Sequence, residues 1–231
     1  MAGRQEAELV DVGFFLNQRT AFIRQFYDAA SLPFFERKRK IEAEEAPFVP
    51  PYSEDGEPPF LTVWIEADES LHVLGYSCVS MLAAALHLYL KTWEAEFGKP
   101  VADSFKTEFK KGWINGYKAY FATHFGIHFD QGPANLSVLE EIVLARNRVQ
   151  HRESITSQRT SYSSKDIEKL GRVFFVDDRE RSLFADADES ESSWLFPPSL
   201  RITKEKLITA ITEVEKFSGW LETQIILHVY P

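Results

Sequence analysis

Apolar positions along this chain recur mostly with the period of an α-helix and seldom with that of a strand. The pattern predicts a first helix from about Phe14 to Ala30. A second begins near Ser31, with Pro33 suited to its first turn. Pro47, Pro50, Pro51, Pro58 and Pro59 then mark a loop over residues 46–59. Helical spacing resumes from Phe60 to Phe97, as one long helix or as two with a break near Asp68-Glu69-Ser70, and Gly98 and Pro100 stop it. Ser104 to Phe125 is a further helix, its aromatic residues Phe105, Phe109, Trp113, Tyr117 and Phe121 four apart. Such a stripe reads as core first and as a nucleic-acid stacking surface second. A capping-box pattern at Ser137-Val138-Leu139-Glu140 opens a helix to about Ile155. A short helix is expected over Ser164 to Leu170, and a final amphipathic one runs from Thr203 to about His228. Strand periodicity is confined to Arg172 to Val176, Ser182 to Phe184 and Leu200 to Ile202. Residues 177–193 are acidic and serine-rich and read as an exposed loop. The chain shows no internal repeat.

Composition narrows the function more than the fold. With 231 residues, 44% of them hydrophobic, the chain is long enough and apolar enough for a sizeable core. The proline-rich loop divides it into a helical appendage over 1–58 and a helical domain over 59–231, or leaves one continuous domain. A net charge of -9 excludes a general coat for nucleic acid, so any contact with RNA must come from a local basic patch. A single cysteine, Cys78, cannot form an internal disulfide and fits a reducing, cytoplasmic setting. The polar stretch Met1 to Leu9, with Arg4, Glu6 and Glu8, does not resemble a secretory signal. Leu71 to Leu90 lacks any Asp, Glu, Lys or Arg, yet carries His72, Gly75, Ser77, Ser80 and His87. It reads as a buried central helix rather than a membrane span.

The chemistry concentrates at the end of the helix from Ser137. Placed on a wheel, Val138, Ile142, Ala145 and Val149 form a core seam. Asn147, His151 and Ser154 fall on the opposite side, and Asn147 and His151 are i,i+4 neighbours. Arg146 lies between the faces, with a stem long enough to reach the polar side. Leu139, Val143 and Leu144 add apolar surface outside the seam, which calls for cover from a second helix or a second subunit. From Arg146 to Lys165 five basic residues, Arg146, Arg148, Arg152, Arg159 and Lys165, stand against one acid, Glu153. That balance makes a phosphate-binding strip of Arg148, Arg152, Arg159 and Lys165 beside the motif.

Arg146-Asn147 followed by three residues and His151, at the end of a helix in an all-helical chain, resembles the motif of the HEPN superfamily. The resemblance is strongest over residues 134–156. It implies an all-α helical bundle of HEPN type, here with a short β element between residues 172 and 202. It also implies a metal-independent endoribonuclease needing no cofactor, of the kind found among toxins and antiviral defence effectors. Arg146, Asn147 and His151 would form the catalytic site, and a homodimer would bring two copies together. RNA would be the substrate, and an antitoxin or other regulatory protein a possible partner. His151 is followed by Arg152-Glu153, where members of that superfamily often carry a small residue. Some members are inactive binding modules, so a non-catalytic module that binds RNA or a protein partner is the alternative. The residue types suit the reaction. Histidine moves a proton near neutral pH, and arginine stabilises charge on the transferring phosphate. His124, His128 and Asp130 form a rival cluster, but Gly126 interrupts their helix and no third ligand is evident, so no metal site is assigned.

Overall fold

The computed structural model describes residues 11–51, 58–150, 160–171, 173–177, 180 and 198–229, and these are mostly helical. Helix α1 spans Val12–Glu42 as one piece, where the sequence predicted two. Asp11 caps it by accepting the Phe14 N–H at 2.9 Å. Pro33 does not end it. The ring removes the donor that would reach the Ala29 carbonyl, and both residues face outward, where water can replace that bond.

Helix α2, Leu61–Glu96, is a single helix through Asp68-Glu69-Ser70 and lies at the centre. It packs against α1, against α5 (Leu136–Gln150) and against the last helix, α7 (Lys204–Val229). It is long and apolar enough to cross a bilayer, and most of its apolar window is buried among the other helices. The α1 end is clamped to the α2 start. Lys38 pairs with Asp68 at 2.5 Å and lies 4.0 Å over the Trp64 ring, while the Trp64 indole N–H donates to Glu42 at 2.8 Å.

The expected helix from Ser104 to Phe125 is broken. A short turn at Asp103–Phe105 leads into α3, Lys106–Lys110, and then α4, Trp113–Phe125. Gly112 stands between them at φ 130°, which side-chain-bearing residues rarely adopt. The aromatic stripe is core, as its spacing suggested first. Phe105, Tyr117 and Phe121 are buried, and Phe109 and Trp113 pack against them.

Helix α6, Ser164–Leu170, forms where expected, with Ser163 and Asp166 as a capping box. The β element does not form as strands among the described residues. Ser161 pairs with Ser199 and Val176 with Leu200, each as an isolated bridge. A ladder is pre-empted because the Phe174 and Phe175 N–H groups donate to the buried Glu141 carboxylate. The expected partner over 182–184 lies outside the described residues.

One apolar cluster runs through α1, α2, α4, α5 and α7. On α7, Leu207, Ile211, Val214, Phe217 and Leu221 are all fully buried, as their spacing predicted. Val12, Leu16, Ile23 and Tyr27 of α1 belong to the same cluster.

Candidate functional site

Helix α5 carries the site and is fixed at its start by polar groups. It begins at Leu136, and the cap is Asn135 rather than Ser137. The Asn135 side chain accepts the Ser137 N–H at 3.1 Å, and its own N–H donates to Glu213 of α7 at 2.7 Å. Tertiary contact with α7 thus helps set the boundary.

Of the predicted seam, Val138, Ile142 and Ala145 are buried and Val149 is half-buried against the core, while Leu139 and Val143 are buried as well. Leu139 and Val143 are covered within the chain, where α5 packs on α2 and α7, and Leu144 is half-buried. Glu141 is buried among them. Its carboxylate accepts from the Tyr162 hydroxyl at 2.6 Å and from the Phe174 and Phe175 N–H groups at 2.7 Å.

The polar end of α5 is different. Asn147 is exposed on the side away from the seam, and Arg146, between the two faces, is half-buried. The Arg146 guanidinium donates to the Asn147 side-chain oxygen at 3.0 Å. Among the described residues no carboxylate pairs with Arg146, so most of its donors are free for an anion. Arg148 is spent otherwise. It donates to Ser163 and pairs with Asp166, both at 2.6 Å, and so ties α5 to α6. Lys165 is exposed on α6. His151, Arg152, Arg159 and the expected run of the helix to Ile155 lie outside the described residues.

The structure adds His87, which the sequence did not single out for this site. It is exposed on α2. Its ring stacks on Trp113 at 4.8 Å and 22°, with Tyr117 edge-on at 6.2 Å. The Tyr117 hydroxyl in turn donates to Glu94 at 2.9 Å. Loss of water around the ring, and then the charges of Lys91 and Arg146, hold the His87 imidazole below the usual histidine range, with Glu94 opposing. It is therefore neutral at neutral pH and able to accept a proton.

The rival cluster does not assemble. His124 packs on Phe105 and Tyr120, and Asp130 pairs with Lys118 at 2.5 Å. Among the described residues no three His, Cys, Asp or Glu side chains converge as for a metal ion.

The end of α5 therefore offers a guanidinium with no ion-pair partner among the described residues and an exposed amide, while His87 and Trp113 stack on one another where α2 meets α4. The guanidinium and the amide suit binding a phosphodiester, and the stacked rings an unstacked base. Set against protein-family models, curated proteins and solved structures, the chain matches none of them.

Proposed function

We propose that this protein is a metal-independent endoribonuclease of HEPN type, with Arg146, Asn147 and His151 as its site. The observation that supports it most is the contrast between two neighbouring arginines. Arg148 is consumed by Asp166, whereas Arg146 has no ion-pair partner among the described residues and binds the next residue of the same motif. In this reading Arg146 holds the scissile phosphate and neutralises the charge that builds on its oxygens. Asn147 orients the guanidinium. His151 exchanges a proton with the reacting oxygens, and the products carry 2′,3′-cyclic phosphate and 5′-hydroxyl ends. A homodimer would bring a second copy of the motif to the same phosphate. A toxin or antiviral defence effector is the role that fits such an activity.

The test is cleavage of a mixed-sequence RNA by purified protein in EDTA. Wild type is expected to cut, and His151→Ala and Arg146→Ala to lose about 10²–10⁴-fold in rate. Equal cutting by wild type and both variants would remove the assignment from this site.

One observation favours the second reading, a non-catalytic module that binds a partner. Phe15 and Phe22 of α1, with Ala84 and Leu88 of α2, line a groove of about 470 Å³, and the exposed Phe26 stacks on Phe22. Exposed aromatics in such a row are characteristic of binding surfaces. Absence of cleavage by every form of the protein would leave that reading in place.

A further inference from the structure

The large apolar side chains left exposed are not spread evenly over the molecule. Among the described residues there are thirteen, and ten of them belong to α1 or α2. None lies on α3, α4, α5 or α6. A single exposed apolar residue is ordinary, whereas a contiguous patch marks a contact surface. On α1, Phe15, Phe22, Phe26, Ala29 and Pro33 recur at spacings of seven, four, three and four, and all are exposed. They make one ridge, on which Phe22 and Phe26 stack at 6.1 Å. On α2, Val73, Ser77, Ala84 and Leu88 recur at four, seven and four, also exposed. The small residues in the middle of that row make it a trough. Phe15 and Phe22 stand along the groove that Ala84 and Leu88 line.

We infer that this face is the interface of a homodimer, in which the ridge of each copy lies in the trough of the other. The inference rests on neither functional reading, and the face includes neither Arg146 nor Asn147. Shape and area both fit a second copy. Ridge and trough run side by side on one surface, so a two-fold axis parallel to the helices sets each over its complement. From Phe15 to Pro33 the ridge is about 27 Å long, and two helices side by side are about 20 Å wide. Two copies together cover roughly 1,100 Å² in projection, above the ~1,000 Å² that a specific interface needs.

Charge fits as well. Between Arg19 and Glu36 the only charged residues of α1 are Arg24 and Asp28, and both are turned to α7, where they pair with Glu215 and Lys204. Between Glu69 and Lys91 α2 has no charged residue at all. The middle of the face can therefore be covered without burying a charge. Arg37, Glu66 and Glu69 have no ion-pair partner among the described residues. The helices are antiparallel, and the pair of Lys38 with Asp68 puts these three residues level with one another. The same axis brings Arg37 of each copy over Glu66 and Glu69 of the other. Arg19 and Lys91 of the other copy approach at the rim, where water and salt screen them.

The experiment reads the mass of the full chain by light scattering after size exclusion, from about 1 to 100 µM. It uses wild type, Phe22→Glu in the ridge, Ala84→Glu in the trough and Ile226→Glu on α7 as a control, each checked by circular dichroism. Wild type and the control are expected at the mass of two chains. Both face variants should keep their melt, since each site is exposed, and weaken the dimer by about 10²-fold or more. Hydrogen exchange on wild type needs no variant, and protection over residues 22–29 and 77–88 should fall on dilution. Wild type at the mass of one chain across the range would overturn the inference. If it then floats with phosphatidylcholine vesicles and Phe22→Glu does not, the face belongs to a lipid surface instead. A dimer that survives in both face variants would overturn it too, placing the contact elsewhere. Cleavage is not read, so the ribonuclease reading stands or falls separately.

Discussion

The two ends of α5 handle polar side chains in opposite ways. In its first half, Glu141 is buried, and the Tyr162 hydroxyl and the Phe174 and Phe175 N–H groups donate to its carboxylate. At the end, Arg146 and Asn147 bind only one another among the described residues and face the polar side. A buried charge must be matched by hydrogen bonds, so its bonding capacity is used up in holding the fold. A charge that the fold leaves unmatched is free to bind something else. This difference, more than residue type, separates the structural polar residues here from those able to do chemistry.

Glu141→Ala should break that comparison hardest. It leaves two backbone N–H groups and the Tyr162 hydroxyl without their acceptor, and a loss of about 3–5 kcal/mol in urea unfolding is expected. A loss below about 1 kcal/mol would show that Glu141 is not structural in this sense. Asp68 sharpens the same point through pH. Burial pushes its carboxyl up, but Lys38 at 2.5 Å, Arg201 at 3.7 Å and His72 at 3.4 Å together hold it below the ordinary range. Because the folded pKa is the lower one, the pair stabilises fully above the unfolded value of about 3.9, and the gain is lost as pH falls through the folded value. Asp68→Asn should cost about 2–3 kcal/mol at pH 7 and flatten the acid limb of stability against pH. An acid limb as steep as that of wild type would place the titration elsewhere.

Much of this was legible in the sequence, where the signal is local. The core face of α7, the short capped α6 and the aromatic stripe at Phe105, Tyr117 and Phe121 all follow from spacing. So does the outward placing of Asn147, four residues from His151. What sequence could not supply is tertiary. Pro33 reads as a helix start, because nothing local shows that its lost bond faces outward. The α5 cap moves to Asn135 because Glu213 arrives from 78 residues away. Leu139 and Val143 asked for cover, and the pattern could not say that α2 and α7 provide it. Arg148 read as a phosphate ligand until Asp166 folded back on it. His87 lay inside a stretch read as buried, yet it is exposed and its ring stacks on Trp113 of α4.

Arg148 marks the middle of the scale. Its pair with Asp166 is partly exposed on the arginine side, so Arg148→Ala should cost about 1 kcal/mol in urea unfolding. If the pair is structural, RNA affinity should change little and its salt dependence not at all. A salt slope lowered by about one unit would show instead that Arg148 leaves Asp166 to bind phosphate.

The smallest effect on stability belongs to Arg146, and it is the most informative. Arg146→Ala removes one surface hydrogen bond, to Asn147, and breaks no ion pair with any described residue. Stability should stay within about 0.5 kcal/mol of wild type. If the ribonuclease reading holds, the same variant should lose most of its cutting rate. Arg146→Lys should recover only part of it, since a point charge lacks the two-donor fork that grips a phosphate. A buried structural arginine would behave the other way, losing stability and rate together. Melting and cleavage measured on the same preparations therefore decide between the two. Loss of rate with an unchanged melt would place Arg146 among the residues left free for chemistry, and a parallel loss of both would place it with Glu141.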